Sequence, residues 1–309
     1  MYAHLPGYSL AADTAVELDP GRLSHLTWEA WRAIDDDYPY QEGRFKETRP
    51  LFLVVEDDQT DGENLQSFLT GTAALVHHAL TLRKPHCPRV PAPIMSMGYH
   101  KVGPAVRRVV GPLEREAIVW GLGFEPSDPL TDKDLVTVRF LLRLLKATPA
   151  PSGASILLDA LEATGRPDID RTTGFVLCIA ALEAALLPDE TSELRAKFAR
   201  RVAAMGTGTP EEFAHLHDYA LSLYRLRSEL VHGGVKDATL GRLELPSIEY
   251  VDAAVGRDVI RPVVIRLAAL SSSGRDMVEI TGLLDSAAAT ESKLDALNAL
   301  VNVELRRYV

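Results

Sequence analysis

Apolar positions fall into two patterns along this chain. Up to about residue 125, short apolar runs alternate with turn signals: Pro6-Gly7, Pro20-Gly21, Asp61-Gly62, Gly103-Pro104, Gly111-Pro112 and the prolines between Pro85 and Pro93. Residues 51–55, behind Pro50 and ahead of acidic residues, predict a buried strand. Residues 117–122, with Ile118, Val119 and Trp120, predict another. Residues 23–34, with Leu26, Trp28 and Trp31, and residues 65–82 predict helices. Residues 1–125 therefore read as an α+β domain.

From Thr131 the period becomes helical. Thr131-Asp132 offers a cap, and Leu135, Val138, Leu141, Leu142 and Leu145 share one face. Residues 149–153 break that helix and serve as the linker that closes the segment 126–153. Residues 154–309 then predict an all-α bundle. Helices are expected over 156–163, over 175–187 and from a Thr191 or Ser192 cap to Gly206. Three more are expected from Pro210 to about His232, over 257–270 and over 293–307. The segment 175–187 is apolar on all sides apart from Glu183, the pattern of a buried central helix. Leu194, Phe198, Val202 and Met205 form a stripe, leaving Arg195, Lys197, Arg200 and Arg201 to a solvated face that could border a cleft and guide a phosphate backbone. Pro210-Glu211-Glu212 is a favoured first turn, and Gly233-Gly234 a stop.

Composition narrows the class. A chain of 309 residues with 46% hydrophobic and 25% charged residues can bury a core without staples. No apolar run is long enough for a membrane span, and residues 1–10 lack the layout of a signal peptide. Two distant cysteines, Cys87 and Cys178, suit free thiols in a reducing cytoplasm. The net charge is −10, divided at residue 150 as −4 and −6, so neither half is a basic module that binds nucleic acid non-specifically. Any polynucleotide reading must rest on specific residues.

Several constellations carry little chemistry. His77, His78, His86, Cys87 and His100 fit no standard zinc spacing and read as solvated loop histidines. Asp35-Asp36-Asp37 and Glu56-Asp57-Asp58 read as charged loops, and His215 and His217 as exposed residues on different helix faces. Gly121-Leu122-Gly123 lacks the rest of a dinucleotide motif, and neither Ser152-Gly153 nor Ser271-Ser272-Ser273-Gly274 forms a nucleophile elbow.

Two charges resist a plain bundle. In the helix ending near His232, Phe213, Leu216, Ala220, Leu223 and Leu230 form the expected core stripe, and Arg227 falls inside it. An unpaired guanidinium in a low-dielectric interface costs several kcal/mol, so Arg227 needs an anion or an open crevice. Glu183 has the matching need. One reading is that the two satisfy each other. The other uses His232, five positions after Arg227 and about 140° around the helix, so that a two-fold related copy would be required to gather arginines and histidines in one cleft. Arginine donates two parallel hydrogen bonds to phosphate, and imidazole moves protons near neutrality.

The stretch Tyr224-Arg225-Leu226-Arg227-Ser228-Glu229-Leu230-Val231-His232-Gly233 closely resembles the Arg-(four to six residues)-His signature of HEPN domains, above all the Apea-like branch, whose signature often reads Arg-Ser followed by Val-His-Gly. Ala181-Leu182-Glu183-Ala184 before Pro188-Asp189-Glu190 resembles that branch's second helix, and residues 193–202 its third. The likeness covers about residues 154 to 285. It implies a helical bundle dimerising through the motif helices and a metal-independent endoribonuclease without cofactor, of the kind found in toxin–antitoxin and antiphage systems. Arg227 would hold the scissile phosphate and His232 would transfer protons. Ser228, Tyr224, Arg225 and Gly233 would contact RNA, with Glu183 in support. The resemblance equally admits a non-catalytic nucleotide-binding or dimerisation module, and an antitoxin or other regulatory partner.

Overall fold

The computed structural model describes residues 2–5, 9–10, 15–19, 21–25, 51–54, 62–83, 97–98, 129–164, 169–206, 209–243 and 259–309. The protein is predominantly helical, with a small antiparallel sheet near the N-terminus. It divides into two compact units, Met1–Leu142 and Arg143–Val309.

In the first unit, β1 (Tyr2–Leu5), β2 (Val16–Leu18), β3 (Gly21–His25), β4 (Leu51–Val54) and β5 (Met97–Gly98) form a sheet of order β2-β3-β4-β1-β5, antiparallel at every pairing. The strand expected at 51–55 is β4, and its Leu51 and Leu53 are fully buried. The helix expected from residue 23 is corrected. Leu23 lies in β3 opposite Leu53, its side chain buried between less buried Arg22 and Ser24, a period of two that the neighbouring strands impose. Residues 26–34 and the strand expected at 117–122 lie outside the described residues. The helix expected over 65–82 is α1 (Gly62–Arg83), which buries Val76, Ala79, Leu80 and Leu82 and touches β1 and β5. Helix α2 (Asp132–Ala147) begins at a reciprocal cap. The Thr131 backbone N–H donates to Asp134 Oδ2 at 2.9 Å, and the Asp134 N–H donates to Thr131 Oγ1 at 3.3 Å. Asp134 also holds Arg83 of α1 at 2.7 Å.

The second unit contains α3 (Gly153–Thr164), α4 (Arg171–Leu186), α5 (Leu194–Gly206), α6 (Pro210–Val231), α7 (Asp237–Arg242), α8 (Arg261–Ser272), α9 (Met277–Ala287) and α10 (Glu291–Arg306). Gly153 opens α3 rather than ending a linker. The most enclosed helix is α8: Val263, Val264, Leu267, Ala268, Ala269 and Leu270 have no exposed surface, and it packs on α3, α5 and α10. The expectation of a wholly buried helix at 175–187 is therefore corrected. In α4, Phe175, Cys178, Ile179, Leu182, Ala185 and Leu186 are buried, whereas Leu177 is 37% exposed and Ala184 faces solvent. Helix α5 is entered from Glu193, at φ +53°, rather than from a Thr191 or Ser192 cap.

The pair α5 and α6 positions the candidate site. Thr209 caps α6, accepting from the Glu212 N–H at 3.2 Å with Pro210 at the first turn. Gly206 is the last residue of α5, and a Cβ there would collide with Leu216 of α6. The core stripe of α6 is Ala220, Leu223 and Leu226, with Phe213, Leu216 and Leu230 only partly buried. Ala220 and Leu223 are shared with the expected stripe, but its C-terminal end is rotated by one residue, because Leu226 takes the place that Arg227 would have filled.

Candidate functional site

That rotation sets the position of Arg227. Its side chain is 31% exposed, and its Nη2 lies 3.4 Å from Glu183 Oε2 of α4, itself 20% exposed. The Arg227 Nε is buried without a hydrogen-bond partner among the described residues. Tyr224, one turn earlier, packs on Phe198 of α5 with ring centroids 5.3 Å apart. Burial raises the Tyr224 phenol above its ordinary value, and the neighbouring Glu183 carboxylate reinforces this. Glu183 thus joins Tyr224 and Arg227 where α4, α5 and α6 meet. The two charges that stand out as misfits in the sequence do find each other, through a long and partly solvated contact.

His232 is placed differently. It is the exposed C-cap of α6, its backbone N–H donating to the Ser228 carbonyl at 3.1 Å. Gly233 has φ +91°. Its N–H donates to Leu230 O at 3.3 Å, and the Gly234 N–H to Glu229 O at 2.9 Å, the paired bonds of a Schellman ending. Gly233 therefore serves the backbone, allowing the left-handed turn that stops the helix at His232. Ser228 is half-buried on the last full turn.

Arg225 and Glu229 buckle this ending to α7. Arg225 Nε donates to Glu229 Oε1 at 2.9 Å, and Glu229 also accepts from the Lys236 N–H at 3.1 Å and from Thr239 Oγ1 at 3.0 Å. Burial pushes the Glu229 carboxyl up, but these hydrogen bonds from Lys236, Thr239 and Arg225 outweigh it and leave the carboxyl below its ordinary value. On α6, Arg225 and His232 are seven residues apart, within about 20° of one azimuth, whereas Arg227 is about 140° from His232. One copy of the helix thus divides the seven named residues. Glu183, Tyr224 and Arg227 meet at the α4 side, while Arg225 and His232 look outward along another face. Ser228 and Gly233 lie between and beyond them.

One assignment of a basic residue changes. Arg201, expected on a solvated face, is only 2% exposed. It donates to Asp285 Oδ1 and Oδ2 at 2.8 and 2.6 Å, to Glu190 Oε1 at 2.7 Å and to Leu186 O at 2.7 Å, tying α5 to the end of α4 and to α9. Hydrogen bonding to Asp285 raises its pKa above the ordinary arginine value against the effect of burial. Lys197 also pairs with Glu190, and Arg200 lies 3.8 Å from Glu193. Arg195 instead lines an open groove of 410 Å³ with His215, Arg225 and Arg242. The sequence reading missed Arg242, since it sits on the short helix α7.

Among the described residues, no three His, Cys, Asp or Glu side chains gather into a metal site. His77 and His78 lie on α1 with ring centroids 6.4 Å apart, while His86, Cys87, His100 and the acidic runs at 35–37 and 56–58 lie outside the described residues. No described helix is long and apolar enough to cross a membrane. No family model, curated protein or solved structure matches the chain.

Proposed function

We propose that this chain is a metal-independent endoribonuclease of the HEPN type, nearest the Apea-like branch, acting in the cytoplasm in phage defence or a toxin–antitoxin stress response. The observation that supports it is the Tyr224–Gly233 motif at a helix end, with Arg227 only loosely paired and His232 open to solvent. A phosphodiester can compete for a guanidinium held by one carboxylate at 3.4 Å, because the phosphate offers two parallel, charge-assisted hydrogen bonds. The ribose 2′-hydroxyl attacks the adjacent phosphorus, the P–O5′ bond breaks, and one proton passes from O2′ to O5′. Arg227 stabilises the charge on the phosphoryl oxygens, and His232 carries the proton. Since the two groups diverge on one helix, the working unit is a homodimer in which two α6 ends face one cleft. An antitoxin or regulatory partner would act by covering that cleft.

The test is cleavage of RNA by the full chain in EDTA, with products examined for 2′,3′-cyclic phosphate ends. Cyclic ends formed without divalent metal support the reading, and a requirement for metal rejects it. The Glu183–Arg227–Tyr224 cluster favours a second reading, a non-catalytic nucleotide-binding or dimerisation module in which Arg227 is structural. Failure of the wild-type chain to cleave any RNA, with Arg227→Ala losing its fold, would select that reading.

A further inference from the structure

The basic run at the start of α5 is not uniform. Lys197 and Arg201 pair with Glu190, and Arg200 with Glu193, but Arg195 has no carboxylate partner among the described residues. Arg195 lines the 410 Å³ groove between α5, α6 and α7. Across from it, Arg242 of α7 and His215 of α6 likewise carry no ion pair or hydrogen bond among the described residues. Among the described residues Arg225 commits only its Nε, to Glu229, which leaves its terminal nitrogens for a ligand. The one acid in the lining, Asp218, is 84% exposed and lies 3.3 Å from His217. In a chain of net charge −10, three arginines around one exposed acid make the lining of this groove locally positive.

We infer that this groove binds the sugar–phosphate backbone of single-stranded RNA. Convergent guanidinium groups with donors to spare match successive phosphates. On α6, His215, Asp218, Ser222 and Arg225 follow one line, and His232 continues it about 10.5 Å beyond Arg225. A strand lying along the groove is thereby led to the exposed imidazole. This inference rests on the RNA reading of the site, and it adds the surface that holds the substrate away from the reacting phosphate.

The experiment measures binding of the full chain to a 2′-O-methyl oligonucleotide of about 12 nucleotides, which cannot be cleaved, by fluorescence anisotropy over a salt series. The double variant Arg195→Ala/Arg242→Ala should weaken binding roughly tenfold or more. It should also flatten the slope of log K against log salt by about 1.4, at about 0.7 for each phosphate no longer neutralised. The double variant Lys293→Ala/Arg306→Ala at exposed positions of α10 removes the same net charge and should leave both unchanged. An equal loss in the control overturns the inference, as does an unaltered slope in the double variant or competition by polyglutamate at the concentrations at which RNA competes. Because the probe is inert, the two proposals separate. Groove-dependent binding without cleavage of ordinary RNA keeps the groove and rejects the nuclease, and cleavage unaffected by the double variant does the reverse.

Discussion

Replacing Arg227 with alanine separates a functional arginine from a structural one, because the two roles predict different magnitudes. At 3.4 Å and an effective dielectric of about 20, the gross attraction to Glu183 is about 5 kcal/mol. Both side chains keep solvent contact, at 31% and 20%, and pairs of that kind return only a fraction of the gross attraction after desolvation and ordering. Removal of Arg227 does not strand Glu183, whose side chain stays 20% exposed to solvent. The net cost is therefore about 1–2 kcal/mol, including the packed arginine stem. For a compact unit of the size of Arg143–Val309 that lowers Tm by roughly 2–8 °C. If Arg227 clamps the scissile phosphate, the same substitution cuts the cleavage rate about 100-fold or more. Melting followed by circular dichroism and a fluorogenic RNA assay in EDTA read the two quantities on one sample. A Tm fall beyond about 15 °C, or full cleavage by the variant, refutes the reasoning.

Other regions make independent predictions. Arg201→Met should cost about 3 kcal/mol or more, because it breaks four hydrogen bonds of a buried guanidinium, while Arg195→Ala on the same helix should be neutral in urea unfolding. Gly233→Ala meets no atom within 4 Å, so its cost is conformational, about 1–2 kcal/mol by chemical denaturation, from φ +91°. Hydrogen bonds from Lys197 and then Arg201 hold the Glu190 carboxyl below its ordinary value of 4.5. A depressed carboxyl contributes stability that is present above 4.5 and lost as pH falls through the native value, so Glu190→Gln should flatten the acid limb of a stability–pH profile and leave its neutral region lower.

The long helices are legible in the chain because each combines a 3.6-residue apolar period with its own punctuation, as Pro210 and Gly233 do for α6. β3 is hidden because a five-residue strand with one buried leucine carries almost no period of its own, and its pairing with β4 decides it. α9 has a readable signal, the Asp276-x-x-Glu279 box whose reciprocal bonds form at 2.8 and 3.2 Å, but the apolar stripe that follows is too short to draw attention to it. At the site, two lone charges on apolar faces announce the Glu183–Arg227 contact. Arg201 cannot be placed that way, since its main partner, Asp285, is 84 positions distant and periodicity carries no information across that interval. The groove is hidden for the same reason: its arginines come from three helices, and only the packing of α5, α6 and α7 brings them together.

The divergence of Arg227 and His232 on α6 has a consequence for activity that a mixing experiment can read. If each active cleft takes its arginine from one copy and its histidine from the other, Arg227→Ala and His232→Ala homodimers are both inactive. A mixed dimer, however, holds one site with both native groups and one with neither. Random exchange at equal concentrations makes about half of the dimers mixed, so about a quarter of wild-type cleavage should return when the two inactive proteins are denatured together and refolded. If the two groups act from within a single chain, no pairing of these variants contains an intact site, and activity stays absent while size-exclusion chromatography still reports dimers. That second outcome would require the α6 ending to rearrange so that His232 swings toward the α4 face, against the Gly233 and Gly234 bonds that now fix the turn. Recovery therefore tests the shared site and the helix-end geometry together, and absence of recovery in the presence of dimer would reject both.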